Sequence, residues 1–217
     1  GLVIALATQF SVRRYIPWIY WFAVVMVSVF GTMAADVAHI VLGIPYFAST
    51  VFFAIALAGI FLFWHRVEQT LALHRILTRP RQLFYRAAVL TTFALGTAAG
   101  DMTAVTLHLG YFASGIFFAI AIAIPAIAYR WMRLGAIPAF WCAYILTRPL
   151  GASFADVIGV STARGGLAWG TGPVSLALLA LIIVAVGSLS ATQRKSSARV
   201  IRVRQLPDQP VLPPTNS

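Results

Sequence analysis

Long, continuous apolar runs most constrain what this chain can fold into. Several of them reach about the 20 residues that cross a bilayer as a helix. Sixty per cent of the residues are hydrophobic and only 10% are charged, whereas a soluble domain has about a quarter charged residues. The runs predict an all-α, polytopic transmembrane bundle. We expect six full helices, over about residues 18–41, 46–64, 85–106, 111–129, 138–158 and 174–189.

The segments between these runs divide the chain into helical hairpins and basic linkers. Because Ile4–Ala7 repeats the tetrapeptide Ile55–Ala58, the first residues are interpreted as the end of a truncated preceding repeat. The tail is basic and Pro-rich, which is typical of a disordered segment. The predicted organisation is a truncated repeat end at 1–14, hairpins at 15–64, 87–131 and 138–190, a basic cytoplasmic loop at 65–86 and a disordered cytoplasmic tail at 191–217.

The distribution of basic residues predicts the orientation. The net charge of +11 could suggest nucleic acid, but fourteen of the sixteen Lys and Arg lie in the linkers on one side and in the tail. The opposite links contain a single basic residue, Arg164. By the positive-inside rule, the basic linkers and the C-terminus face the cytoplasm. We therefore expect a multi-pass protein of the bacterial inner membrane, with the lipid bilayer and not nucleic acid as its partner.

A short motif occurs three times and carries three of the five acidic residues. Its versions are Gly31-Thr32-Met33-Ala34-Ala35-Asp36, Gly96-Thr97-Ala98-Ala99-Gly100-Asp101 and Gly151-Ala152-Ser153-Phe154-Ala155-Asp156. A shift of 65 residues superposes 31–58 on 96–123 with fifteen identities in 28 positions, and a shift of 55 superposes Asp101 on Asp156. Each unit has two helices, so the repeats are parallel and place the three aspartates at one depth.

These motifs resemble a family of bacterial multi-repeat membrane proteins described only as uncharacterised membrane-anchored proteins. The string Thr147–Asp156 and the segment Gly170–Ser175 also look like features of that family. The resemblance covers about residues 1–190 and implies tandem two-helix repeats, typically four. It implies no established activity.

Asp36, Asp101 and Asp156 are the principal candidate site residues, because an ionisable side chain inside a membrane is costly. One hypothesis is that they bind an ion or a proton. The other is structural, with each carboxylate accepting hydrogen bonds from the next helix or the adjacent link. The small residues beside them fit both hypotheses, because they allow close helix approach and also let carboxylates converge. These supporting residues are Gly31, Thr32, Gly96, Thr97 and Gly151.

Arg148 breaks the repeat pattern, since it lies near the middle of the fifth run and is followed by Pro149. It precedes Asp156 by eight residues, about 12 Å along a helix. It is predicted either to face a central polar cavity, where it binds carbonyls, water or an anionic substrate, or to bridge two helices. Pro149 removes one backbone hydrogen bond and frees the carbonyl of Ile145.

Histidine and aromatic residues complete the set of candidates. His39 lies one turn after Asp36 and is a supporting residue, but it aligns with Ala104 in the second repeat, which argues against a repeated metal site. Four aromatic residues are predicted to lie at the membrane interface: Trp18, Tyr46, Trp64 and Tyr111. No enzyme signature occurs. We expect no catalytic residues, metal or cofactor.

The favoured function is transport of a small solute or ion through the repeated aspartates. The alternative is a membrane scaffold or partner-binding subunit, in which the Asp and Arg residues are structural. The two hypotheses differ in whether the carboxylates share a hydrated site or bond to backbone.

Overall fold

The computed structural model describes residues 17–71 and 79–204, with side chains over 18–71 and 80–190. These residues form six α-helices and contain no strand, so the predicted all-α fold is confirmed. The predicted repeat end at 1–14 and the last part of the tail, 205–217, lie outside the described residues. The helices are α1 (Pro17–Asp36), α2 (Tyr46–Glu68), α3 (Arg79–Asp101), α4 (Gly110–Trp131), α5 (Ala136–Gly159) and α6 (Thr171–Arg204).

Five helical segments of the described chain are long and apolar enough to cross a membrane, which indicates a multi-pass membrane protein. They are Trp18–Val41, Tyr46–Glu68, Pro80–Thr106, Gly110–Trp131 and Thr171–Ser190. Helix α5 is the sixth helix and is not one of these segments. It contains Arg148, Pro149 and Asp156, which lower its hydropathy. Six apolar spans were expected, and five helical segments of the described chain are long and apolar enough to cross a membrane.

The predicted loop at 65–86 is shorter than expected. Helix α2 continues to Glu68 and α3 already begins at Arg79. Arginine, glutamine and leucine favour helix, and Pro80 is tolerated because it lies in the first helical turn. The Arg81 Nε atom lies 3.9 Å from the Glu68 carboxylate and joins the two helix ends.

The predicted disordered tail is helical over its first part. Helix α6 runs 34 residues to Arg204, well past the apolar segment. The reason is the absence of glycine and proline between Gly187 and Pro207, since these two residues disfavour helix most strongly. The backbone over 191–204 is helical, where the sequence predicted a disordered tail. Among the described residues, those from Ala177 to Arg204 form a unit separate from those up to Leu176.

The helices up to α5 form a row with two helices packed on it. Helices α1, α3 and α5 contact in that order, and α2 packs on α3 while α4 packs on α5. The two helices of the first hairpin, and those of the second, scarcely contact each other. The returning helices α2 and α4 thus each pack on the outgoing helix of the next repeat, so the hairpins interlock. We call the end where α1, α3 and α5 stop the Asp end, and the opposite end the Arg end.

Small residues bring the helices of the row close together. A Cβ atom built on Gly31 would lie 2.6 Å from the Cβ of Phe93 in α3. The Thr97 hydroxyl donates a hydrogen bond to Thr32 Oγ1 at 3.3 Å, between equivalent positions of two repeats. Helix α3 meets α5 in the same way, because a Cβ on Gly96 would overlap Arg148. These contacts align the repeats in depth.

An aromatic core lies at the Arg end. It contains Trp64 and Trp141, whose ring centroids are 5.8 Å apart, and Phe84 stacks on Trp64. The Trp141 indole donates a hydrogen bond to the carbonyl of Leu71 at 3.2 Å. Trp64 has no exposed surface. It was predicted to lie at the membrane interface. Instead its ring packs inside the protein, against Phe84 of α3 and Trp141 of α5.

Candidate functional site

The backbone changes its helical geometry directly after two of the three aspartates. Helix α1 ends at Asp36 and a π-helical turn follows over Val37–Val41, while α3 ends at Asp101 and the turn Met102–Thr106 follows. Equivalent bonds close both turns, since the amides of Leu42 and Leu107 bond to the carbonyls of Val37 and Met102 at 3.0 Å. Short π-helical turns are rare and occur frequently at functional sites. Two repeats therefore shape the backbone beside the carboxylate identically.

The third repeat ends differently and places an arginine at the Asp end. After α5 the chain forms a short 3₁₀ turn, Thr162–Arg164, and then folds back along the end of α5. The amides of Leu167 and Gly170 bond to the carbonyls of Val157 and Gly159 at 2.7 and 3.2 Å. Gly165 adopts φ +80°, and Gly166 lies so close to Val160 that a side chain would not fit. This link fixes the position of Arg164.

The three predicted aspartates all lie at the Asp end and interact electrostatically. Asp101 interacts electrostatically with Asp36, Asp156 and Arg164. Asp156 also interacts with Arg164 and Asp36. Helices α1, α3 and α5 each supply one carboxylate, so the row of helices becomes a row of carboxylates with Asp101 at its centre.

Two tyrosines from the returning helices join the carboxylates. Tyr46, the first residue of α2, interacts electrostatically with Asp36, Asp101 and Arg164. Tyr111, its equivalent in the second repeat and the second residue of α4, interacts with Asp101, Asp156 and Arg164 and is only 7% exposed. We call this set the Asp–Tyr cluster: Asp36, Tyr46, Asp101, Tyr111, Asp156 and Arg164.

His39 supports one edge of the cluster. Its ring stacks on Tyr46, with ring centroids 3.5 Å apart. Its Nδ1 atom lies 2.9 Å from the carbonyl oxygen of Ile44, which identifies Nδ1 as the donor of a hydrogen bond. It also interacts electrostatically with Asp36 and Asp101. Ala104 occupies its place in the second repeat, so this support is not repeated.

The carboxylates of the cluster are partly buried and do not form a compact ion-binding site. Asp36, Asp101 and Asp156 are each partly buried, and Arg164 is exposed. In the part of the chain that the structure describes, these carboxylates accept no hydrogen bond from a side chain and form no ion pair within 4 Å. No three His, Cys, Asp or Glu side chains among the described residues converge closely enough to hold a metal ion. The carboxylates are thus neighbours that do not form a compact metal site.

Three buried serines lie one helical turn from the cluster. Ser49 follows Tyr46 by three residues, Ser114 follows Tyr111 by three, and Ser153 precedes Asp156 by three. All three are at most 2% exposed. Their hydroxyl oxygens have no hydrogen-bond partner among the described residues. Buried polar groups are normally bonded to protein or to ordered water, so these hydroxyls extend the polar region from the Asp end into the bundle.

Arg148 lies away from the cluster, between two aromatic rings. Its guanidinium carbon is 3.9 Å from the ring centroid of Phe93 in α3 and 4.5 Å from that of Tyr144 in α5. The buried Nε atom has no hydrogen-bond partner in the described chain. Such a cation–π contact contributes about 0.5–2 kcal/mol, depending on desolvation. Arg148 joins α3 to α5, and Pro149 lies beside it within an unbroken helix. A polar cavity around Arg148 stays a prediction.

Sequence reasoning singled out Asp36, Asp101 and Asp156, and the structure brings them together. It missed Arg164, which was treated only as a link residue. One signal was available in the sequence: Arg164 is the single basic residue in the links on the side opposite the basic linkers. It also missed the buried serines. Ser49 and Ser114 were visible as the last residues of the Tyr-Phe-Ala-Ser string that the first two repeats share.

The interlocked helices and the cluster identify the class: a multi-pass helical membrane protein built from tandem repeats, each with an aspartate at or near the end of its first helix. The chain belongs to the family described as Repeat of Unknown Function (DUF347), whose model matches residues 19–70, 84–134 and 139–195. The three matches confirm the predicted internal repeat and the resemblance to a multi-repeat family without an assigned function. Comparisons with curated proteins and with solved structures find no match.

Proposed function

We propose that this chain is a transporter, not an enzyme, and that it moves a small cation or a proton through the Asp–Tyr cluster. The observation that carries the proposal is that three partly buried carboxylates from three repeats lie at the Asp end and interact electrostatically. Arg164 is the arginine that interacts with them, so the carboxylates outnumber it and the cluster attracts positive charge. Ionisable residues placed inside a membrane protein commonly mark ion or proton pathways.

The polar groups below the cluster support a path into the bundle. The hydroxyls of Ser49, Ser114 and Ser153 lie one turn closer to the middle of the helices and need hydrogen-bond partners. Water or a hydrated ion supplies such partners, as buried waters do in other proteins. The tyrosines at the start of α2 and α4 border the carboxylates and offer hydroxyl groups to the same ligand.

The proposal predicts that each carboxylate is needed for flux. The test reconstitutes the chain into proteoliposomes and applies an inward gradient of one cation at a time. A pH-sensitive dye inside the liposomes measures proton uptake, and radioactive tracers measure uptake of Na⁺ and Rb⁺. We expect Asp101→Asn to reduce cation flux at least tenfold, because Asp101 interacts with both other aspartates. Asp36→Asn and Asp156→Asn are expected to act in the same direction with smaller effects.

The matched control is Glu68→Gln, which removes a carboxylate that pairs with Arg81 at the Arg end. It should leave flux unchanged. Folding of every variant is measured by size-exclusion chromatography and thermal unfolding in detergent. If all three Asp→Asn variants fold and transport like the parent, or if the parent moves none of the three cations, the proposal is wrong. If every Asp→Asn variant unfolds, the aspartates are structural and the chain is a scaffold.

A further inference from the structure

The Asp–Tyr cluster contains two pairs of carboxylates, each accompanied by a phenol. Tyr46 interacts electrostatically with Asp36 and Asp101, and Tyr111 interacts with Asp101 and Asp156. Both tyrosines come from returning helices, whereas the aspartates come from the outgoing helices of the row. The two pairs share Asp101, so a tyrosine lies near each pair of aspartates from neighbouring helices.

The packing of the row sets the distance between neighbouring carboxylates. Gly31 and Gly96 let α1, α3 and α5 approach closely, since a Cβ on either would overlap the next helix. The third motif glycine, Gly151, makes no such contact among the described residues. Packed helix axes lie roughly 8–10 Å apart, so aspartates at equivalent positions of two such helices are separated by a comparable distance.

This separation disfavours a compact ion as the ligand of both carboxylates. A Mg²⁺ or Ca²⁺ ion bonds its oxygen ligands at about 2.0–2.6 Å. No three His, Cys, Asp or Glu side chains in the described part of the chain converge closely enough to hold a metal ion. A pair of carboxylates on neighbouring helices instead suits a ligand whose two positive charges are themselves separated.

Buried hydroxyls beside the carboxylates have no partner within the described chain. Tyr111 is 7% exposed, and its hydroxyl forms no hydrogen bond with another described residue. Ser153 is 1% exposed, and its hydroxyl oxygen likewise has no partner there. That oxygen faces α3 beside Asp101, since it would lie 3.7 Å from a Cβ built on Gly100. Buried polar groups are normally hydrogen-bonded, so these hydroxyls need a hydrogen-bonding molecule at the Asp101–Asp156 pair.

We propose that the Asp–Tyr cluster binds a linear organic diammonium ion, with one ammonium group at each carboxylate of a neighbouring pair. The proposal rests on the proposed function, because it uses the same cluster, and it names the class of small cation that the spacing favours. Each ammonium group has three N–H donors. A carboxylate and the nearby tyrosine oxygen accept hydrogen bonds from them, while the apolar chain of the ligand spans the distance between the helices.

The charge of the cluster also matches a dication. Three carboxylates and Arg164, which interacts with Asp101 and Asp156, leave two formal negative charges. A monoammonium ion of the same chain length neutralises one of them and reaches one carboxylate. A compact divalent metal ion carries the required charge but lacks the length. These two comparisons separate the effect of charge from the effect of spacing.

The test measures binding and does not require transport. The full chain in detergent is immobilised on scintillation beads and saturated with radiolabelled putrescine, a linear diammonium ion. Unlabelled putrescine, butylamine and Mg²⁺ then compete for the site. Putrescine and butylamine have the same carbon chain, so their comparison isolates the second ammonium group. We expect putrescine to displace the label at a concentration about tenfold lower than butylamine or Mg²⁺, because it alone makes charge-assisted hydrogen bonds to two carboxylates.

Variants assign the binding to the cluster. Asp101→Asn should weaken putrescine binding about tenfold or more, because Asp101 belongs to both pairs and loses a charge-assisted bond. Tyr111→Phe should weaken it less, since it removes one neutral acceptor. The matched control is Glu68→Gln, which removes a carboxylate at the Arg end and should bind like the parent. Thermal unfolding in detergent establishes that each variant is folded.

The outcomes separate this proposal from transport. If putrescine binds no more tightly than butylamine, or if Mg²⁺ displaces it equally well, the proposal is overturned; this comparison uses the parent chain and does not depend on any variant. A folded Asp101→Asn chain that binds putrescine like the parent also overturns it. Putrescine binding by a chain that moves no proton, Na⁺ or Rb⁺ supports the ligand class and contradicts cation transport. Cation flux without putrescine binding has the opposite meaning.

Discussion

At the residue scale, glycines set the distances between the helices of the row. Gly96 and Gly59 are both helical glycines, but Gly96 has no room for a Cβ and Gly59 has open space. Helix propensity alone favours alanine over glycine by up to about 1 kcal/mol. The space around a helical glycine, not its helix propensity, therefore decides whether a glycine-to-alanine substitution stabilises or destabilises this protein.

We predict that Gly96→Ala destabilises the protein by about 1–3 kcal/mol, the usual cost of overpacking a close contact. Its Cβ would overlap Arg148 and push α3 away from α5. Gly59→Ala should be neutral or stabilising, by up to about 1 kcal/mol. Denaturant unfolding in detergent micelles, followed by tryptophan fluorescence, measures both. A Gly96→Ala variant as stable as the parent would contradict the close packing of α3 on α5.

A second residue-scale prediction concerns Gly43, which has φ +65° and open space around it. Gly43→Ala should cost about 1 kcal/mol, because a Cβ is disfavoured in the left-handed region. Gly43→Asn should cost less, since asparagine tolerates that region better. The second repeat places His108, at φ 56°, in the equivalent position. Equal stability losses for alanine and asparagine in the same unfolding assay would argue against a conformational cause.

At the element scale, the apolar runs and the proline and glycine residues between them predicted most of the helices. The starts of α2, α4 and α5 lie within a residue or two of expectation, because Pro45, Gly110 and Gly135 mark them. The predicted helix bounds differ from the structure where polar residues were interpreted as loop or tail. Residues 79–84 and 191–204 are polar but helical, since propensity and the absence of glycine or interior proline support helix beyond the apolar run.

The helical extension of α6 leads to an element-scale prediction. Backbone amides from Arg194 to Arg204 should exchange hydrogen more slowly than an unstructured peptide by about tenfold or more, because each bonds within the helix. Ser197→Pro should remove this protection around the substitution, and Ser197→Ala should retain it. Hydrogen-exchange mass spectrometry in nanodiscs measures the difference. Exchange at unstructured rates in the parent chain would show that α6 ends earlier.

Part of the candidate site could be predicted, and the rest required the structure. The 65- and 55-residue shifts between the repeats predicted that Asp36, Asp101 and Asp156 lie at one depth. They are neighbours because the helices that carry them form one row. Arg164 reaches them only because its link folds back along α5, which depends on backbone bonds that no periodicity encodes. The ring contacts of Arg148 likewise depend on how α3 crosses α5.

At the scale of the whole molecule, the cluster draws its charges from three repeats and one link. Its electrostatics therefore cannot be assigned to a single hairpin. In the proposed transport function Arg164 opposes cation binding, since it interacts electrostatically with Asp101 and Asp156. The resulting prediction extends the proposed transport function.

Arg164→Gln should lower the apparent KM for the transported cation by about two- to fivefold, a modest change because the side chain is exposed and its charge is screened. Removing this positive charge leaves the carboxylates more attractive to a cation. The control is Arg130→Gln, which removes an exposed arginine at the other end of α4 and should not change KM. Initial rates of cation uptake over a concentration series measure both. A higher KM in Arg164→Gln would contradict the prediction.

The packing of α2 on α3, and of α4 on α5, has a consequence for how the protein is made. A ribosome delivers the hairpins one after another, yet α2 acquires its main packing partner only when α3 has been inserted, and α4 must wait for α5. During synthesis each hairpin is therefore exposed to lipid on a side that later becomes buried, including Ser49 in α2 and Ser114 in α4. A premature stop codon after either returning helix would leave that helix without its neighbour, and membrane quality control would meet a polar hydroxyl facing hydrocarbon.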